Sequence, residues 1–409
     1  MTSRERVLKS LKHEEPDRVP VDLGGTPGAT GIHAIAYNRL KKVLGIKADK
    51  TKMYDPWQQL AKPEPEVLRK IGADVYPITF SPESWRKDAL PDGSTCYFPI
   101  DWRPVKLPDG SWAQKFRSKI IARMARSGLY YDPVYSPLAQ ASIDDLKDFD
   151  WPAPYSFYRI PSRSMSKEPF ITLSKEAEYW YKNSDFALLG TFGGSIFEAA
   201  YGLRGFERFM QDLVFDRKFA EALLDRLVEA NIEYAKRYLD AAKNYIQIIM
   251  VGGEDIGTQQ GPLINPDLYR EIIKPRQERL WKFLKSNSDT SIFVHSCGSI
   301  YQFLSDFVDA GIDIINPVQV SAANMDSKKL KREFGHKVAF WGGGCDTQKI
   351  LPYGTPEEVK KEVKRRIGDF APAGGFVFAQ VHNIQPDVPV ENILAMYEAV
   401  REYGKYPIV

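Results

Sequence analysis

The run Ile246-Gln247-Ile248-Ile249-Met250-Val251-Gly252-Gly253-Glu254-Asp255 decides the fold. Six mostly apolar residues read as a strand covered on both faces, as in parallel sheets. Glycines and acids follow at once, and a helix pattern runs from Pro266 to about Ser286. The same unit recurs downstream. Strands are expected at Ser291-Ile292-Phe293-Val294-His295, Asp313-Ile314-Ile315-Asn316, Val338-Ala339-Phe340-Trp341 and Gly375 to Gln380. Helices are expected from Tyr301 to Ala310, from Asp326 to Phe334 and from Val390 to Tyr403. One more helix starts at Thr355-Pro356-Glu357-Glu358, where a Thr N-cap, a first-turn Pro and early acids coincide.

Three further strand candidates lie upstream: Arg18 to Asp22, Asp74 to Ile78, and Phe186 to Leu189. Eight strands alternating with helices predict an α/β fold, a (β/α)8 TIM barrel in one domain spanning 1–409. Such a barrel needs about 250 residues, so part of the 409-residue chain lies outside it. One addition is an N-terminal helical segment, Ser3 to His13. The other is an insertion after the second strand, residues 81–184. Pro91-Asp92-Gly93 and Pro108-Asp109-Gly110 mark β-hairpins there. The insertion is rich in aromatics: Trp85, Tyr97, Phe98, Trp102, Trp112, Phe116, Tyr130, Tyr131, Trp151, Tyr155 and Tyr158. They suit either a small subdomain core or a lid lining a pocket for a flat substrate.

Composition excludes several classes. Lys+Arg and Asp+Glu number 56 and 53, so no electrostatic nucleic-acid binder is expected. No apolar run reaches the ~18 residues of a membrane span, and the charged start Arg4-Glu5-Arg6 lacks a signal-peptide core. A cytoplasmic protein is the expectation. Three cysteines are too few for a disulfide scaffold, so any that meet a histidine are informative.

His295-Ser296-Cys297-Gly298 ends one expected strand, and Cys345 ends another behind Gly342-Gly343-Gly344. His295, Cys297 and Cys345 together make a Zn²⁺ ligand set with an open position, the catalytic pattern. Glu254 is a candidate fourth ligand; it could equally orient His295. His382 and Asp22 are candidates for proton transfer. Gly24, Thr191, Phe192, Asn316, Trp341 and Asn383 sit at strand ends or beside them, where substrate would bind. No phosphate-binding glycine loop is present.

At these residues the chain resembles the uroporphyrinogen decarboxylase superfamily. The likeness runs through Arg4-Glu5-Arg6-Val7-Leu8, Pro16 to Val21, Gly253 to Gln259, Gly343 to Gln348 and His382-Asn383-Ile384-Gln385-Pro386. It implies the same barrel. The decarboxylase itself holds its substrate's carboxylates with arginines of an R-x-x-G-R type motif, which this chain lacks. The pattern H-x-C plus a distant Cys resembles the zinc-containing corrinoid methyltransferases of that superfamily. The long aromatic insertion resembles the members that demethylate methoxylated aromatic compounds. The resemblance therefore implies methyl transfer from a methoxyarene to the cob(I)alamin of a separate corrinoid protein, since no corrinoid-binding D-x-H-x-x-G signature occurs here. Transfer between a corrinoid and the thiol of coenzyme M is the alternative, then a tetrapyrrole decarboxylase. The oligomeric state stays open, a homodimer included.

Overall fold

The computed structural model describes residues 1–151 and 168–408, so Tyr155 and Tyr158 lie outside the described residues. Seven strands form one all-parallel sheet: Val75–Ile78, Ala187–Thr191, Ile248–Gly253, Ser291–His295, Ile314–Asn316, Ala339–Trp341 and Phe376–Val377. The expected first strand, at Arg18 to Asp22, is reduced to a short bridging segment, yet it closes the ring. Asp22 N donates to Phe378 O (2.8 Å) and Phe378 N to Pro20 O (2.8 Å) on one side. Asp74 N donates to Val21 O (2.7 Å) on the other. A short segment suffices because these backbone bonds leave neither neighbouring strand an open edge.

Strand alternation sorts the side chains into two layers. Leu189, Met250, Phe293, Ile314, Trp341 and Val377 fill the barrel interior. Leu188, Ile249, Val294, Ile315 and Phe340 face the surrounding helices. The helix Ser3–Leu11 covers the bottom of the barrel. A capping box joins Thr2 and Glu5 at its start, Val7 packs into the interior cluster, and Ser10 Oγ donates to Phe376 O (2.8 Å). Asp74, fully buried, ties this end together. It accepts from Arg6 Nη1 (2.7 Å), Arg18 Nη1 (2.7 Å) and Val21 N (2.9 Å).

The insertion forms the expected hairpins. Trp85–Ala89 pairs with Thr95–Pro99. A second sheet runs Val105–Lys106, Trp112–Phe116, Lys119–Met124 and Asp132–Pro133. Both Pro-Asp-Gly sequences make tight turns, closed by Gly93 N to Leu90 O and Gly110 N to Leu107 O, each 2.9 Å. Trp102 is buried between Trp57 and Tyr131, with ring centroids 5.7 and 5.2 Å away. The insertion is thereby fused to the segment around Trp57. The helix Pro169–Asn183, at the end of the 81–184 stretch, packs Trp180 on Tyr76 of the barrel (4.2 Å). No helix among the described residues is long and apolar enough to cross a membrane.

Candidate metal centre and cavity

A cavity of about 750 Å³ opens at the C-terminal ends of the barrel strands, the face on which barrel enzymes build their sites. Thr191, Met250, His295 and His382 come from strand ends or the loops that follow. Tyr54, Asp55, Trp57 and Gln58 line one wall. Leu129, Tyr130, Asp132 and Pro133 of the insertion also line it.

Among the described residues, His295, Cys297 and His382 form a three-donor cluster, their ligand atoms all within 4.8 Å of one another. His295 Nε2 lies 3.3 Å from Cys297 Sγ. Donors sharing one zinc at ordinary bond lengths stand roughly 3.6 Å apart, so the pair needs little adjustment. The tautomer of His295 follows from its partner. Asn316 Nδ2 donates to Trp341 O (2.8 Å), which turns Asn316 Oδ1 toward His295 Nδ1 at 2.5 Å. An oxygen there requires the proton on Nδ1 and leaves the Nε2 lone pair for a cation.

Cys297 follows the end of the His295 strand, where its N–H donates to Asp255 Oδ1 (2.7 Å). Gly298 then turns with φ +85°, its α-carbon so near Gly257 that a Cβ would meet Gly257 C at 2.5 Å. His382 also has positive φ, +64°, uncommon for a residue with a side chain. Its ring centroid is 5.3 Å from that of His295.

The electrostatics suit a cation. Burial, then His295, lowers the His382 pKa to about 3, so its imidazole stays neutral. Burial, then the nearby Asp255 and Glu198, pushes the Cys297 thiol well above its ordinary range. A bound divalent ion would reverse that preference. Glu198 accepts from Asp255 N (3.0 Å). Burial, then Asp255, raises its carboxyl well above the usual carboxylate range. Gly253 makes room for it, since a Cβ there would lie 2.7 Å from Glu198 Oε1. Two imidazoles, a thiol and adjacent acids fit zinc.

The structure places several of the expected residues away from this cluster. Cys345 does not join His295 and Cys297. After the glycine run its segment pairs with the last strand's extension, Gly344 N to Ala379 O and Val381 N to Cys345 O, each 2.9 Å. Its thiol is fully buried in the helix-facing layer, with Glu362 and Arg366 of the helix Pro356–Phe370 in its surroundings. Glu254 is engaged elsewhere. Its two oxygens accept from Ile196 N (2.6 Å) and Phe197 N (2.9 Å), capping the helix Phe197–Arg204. Asp22 is buried outside the lining, accepting from Gly25 N (2.8 Å) and Trp341 Nε1 (2.9 Å). Burial raises its pKa to about 6.

Of the substrate residues expected, Thr191 and Asn383 line the cavity; Gly24, Phe192, Asn316 and Trp341 do not. Gly24 O accepts from Tyr54 (3.2 Å), Phe192 packs on Tyr238, and Trp341 sits in the interior cluster. Among the described insertion aromatics of that group, Tyr130 is the one at the cavity. Tyr54, Trp57 and Glu198 escaped the sequence reading. Asp55-Pro56 was a turn signal that could have found the first two. Glu198 sits in the first turn of an ordinary-looking helix and carried no signal.

The uroporphyrinogen decarboxylase (URO-D) family model matches residues 171–403, more than half of the chain. The chain belongs to the uroporphyrinogen decarboxylase family. The uroporphyrinogen decarboxylase of Chlorobium phaeobacteroides is 28% identical over 191 residues, 45% of this chain and 49% of that one. The chain thus spans about half the length of this and similar Chlorobium relatives. The protein of the same name from Serratia proteamaculans is 24% identical over 296 residues, 68% of this chain and 75% of that one. Among solved structures, a methyltransferase from Methanosarcina mazei shares the fold across 98% of this chain and 99% of its own, with TM-score 0.59 and 21% identity. For this member of the uroporphyrinogen decarboxylase family, the full-length likeness accords with the closed barrel.

Proposed function

We propose that this chain is a methyltransferase that takes the methyl group of a methoxylated aromatic compound and delivers it to the cob(I)alamin of a separate corrinoid protein. One observation carries the reading: His295, Cys297 and His382 meet on the wall of a cavity that also presents Tyr54, Trp57 and Tyr130. Zinc held by those three residues would act as a Lewis acid toward the ether oxygen. Asn316 holds His295 in the tautomer that presents Nε2. The aromatic side chains hold the ring of the donor and keep water from it. Thr191 and Asn383 offer polar contacts on the same wall. The transfer would break the O–CH₃ bond, the partner's corrinoid supplying the electron pair that accepts the methyl group and the bonding pair staying on oxygen. The pair left on oxygen takes a proton, and the cavity-lining Glu198 carboxyl, whose pKa burial and then Asp255 raise, would supply it.

The test follows the loss of the cob(I)alamin spectrum with a panel of methoxyarenes, alongside the zinc content of the protein. Methylation of cobalt with release of a phenol is expected from the zinc-containing protein. Transfer only between methylcobalamin and a thiol such as coenzyme M would replace this reading with the thiol one.

A further inference from the structure

Resting on the methoxyarene reading for its ligand, we propose that Gln59 is a positioning residue: it holds the Leu129–Tyr130 wall of the cavity to the barrel and so fixes where Tyr130 meets the donor ring. Leu129 and Tyr130 line the cavity but are 38% and 50% exposed, so packing alone does not fix them. Ala125, Arg126 and Ser127, just before them, lie at the surface. Three residues in a row, Trp57, Gln58 and Gln59, reach two sides of the cavity. Trp57 O accepts from Tyr131 N (2.7 Å). Gln58 Oε1 accepts from Asn383 Nδ2 (2.8 Å), on the loop that carries His382. Gln59 Nε2 donates to Leu129 O (3.0 Å).

Gln59 is itself held in place. It is buried outside the lining, and its backbone is left-handed at φ +56°. That conformation is unfavourable for a residue with a side chain, so the surrounding bonds must impose it. Gln59 O accepts from Ala34 N (2.9 Å), the first residue of the helix Ala34–Val43. His33, the buried N-cap of that helix, faces the same Leu129 carbonyl. Its Nδ1 accepts from Ile35 N (3.2 Å), which leaves the ring proton on Nε2 as a second donor toward that oxygen. A carbonyl has two lone pairs and can take both.

Gln59→Asn and His33→Asn test the proposal. Asparagine tolerates the left-handed backbone at the first position and caps the helix at the second, and it is too short to reach Leu129 O from either. Hydrogen exchange in the stretch 129–132 of the protein as purified should quicken about fivefold in each variant, and further in the double variant. With free cob(I)alamin as acceptor, the KM for 4-methoxybenzyl alcohol should rise about threefold or more while kcat stays within about twofold. In a Tyr130→Ala background, Gln59→Asn should raise KM no further, because the tether acts through that ring. Unchanged exchange in the double variant would overturn the proposal, and so would a KM effect that adds to that of Tyr130→Ala. If no methoxyarene served as donor, the methoxyarene reading would fall, and the exchange result would still decide whether Gln59 holds the wall.

Discussion

At the scale of single residues, the centre turns on which side chains share the barrel mouth. His382→Ala and Cys297→Ser should each lose most of the bound zinc, measured by elemental analysis. Cys345→Ser should keep it, because that thiol lies in the helix-facing layer. Zinc loss in the Cys345 variant, with retention in the His382 variant, would restore the ligand set read from sequence. Asn316→Leu removes the oxygen that sets the His295 tautomer, and zinc affinity should fall about 10- to 100-fold. Asp22 makes a pH prediction. Its carboxyl is raised from 3.8 to about 6 by burial, so the folded protein holds a proton that the unfolded chain has released. Stability should decline as pH rises from 3.8 to about 6 and then level off. Asp22→Asn should flatten that decline in thermal unfolding profiles. A wild-type profile with no slope in this window would refute the shift.

At the scale of elements, Glu254 and the insertion are the informative cases. Glu254 joins the strand Ile248–Gly253 to the first turn of the helix Phe197–Arg204. Glu254→Ala leaves two buried N–H groups without acceptors and should cost about 2–3 kcal/mol. Zinc content should stay near the wild-type value, since this residue caps a helix; a parallel loss of zinc and no loss of stability would make it a ligand instead. For the insertion, Tyr130→Ala should raise the donor's KM several-fold with little change in unfolding temperature. Tyr130 is half exposed and lines the cavity. Trp102→Ala should do the reverse, because Trp102 is buried between Trp57 and Tyr131; a core aromatic truncated to alanine costs about 3–5 kcal/mol. Unchanged kinetics in the Tyr130 variant would reduce this part of the insertion to scaffolding.

At the scale of the whole molecule, barrel closure depends on the N-terminus. Val7 reaches the interior cluster, and Asp74 binds Arg6, Arg18 and the closing segment. Asp74→Ala would leave Arg6 paired with Asp17 and Val21 N without its acceptor, and should cost about 1–3 kcal/mol in denaturant unfolding. A loss below about 1 kcal/mol, the worth of a surface pair, would show that the ring closes without this network.

The sequence by itself determined the barrel. Near-continuous apolar strands recur between capped helices, and that periodicity is a local property which a closed parallel sheet satisfies. It also determined the hairpins, because Pro-Asp-Gly sets turn geometry within a few residues. His295 and Cys297 were legible for the same reason: a strand end and the next turn place both within reach of each other. Only the tertiary structure showed that His382 lies beside them. Cys345 and His382 both follow barrel strands, and sequence says nothing of which way each chain turns there. Gly342 to Gly344 leave Cys345 paired to the sheet with its thiol outside, whereas a left-handed backbone aims His382 toward the mouth. The lining by Tyr54, Trp57 and Glu198 was likewise hidden, since those residues meet only when the barrel closes.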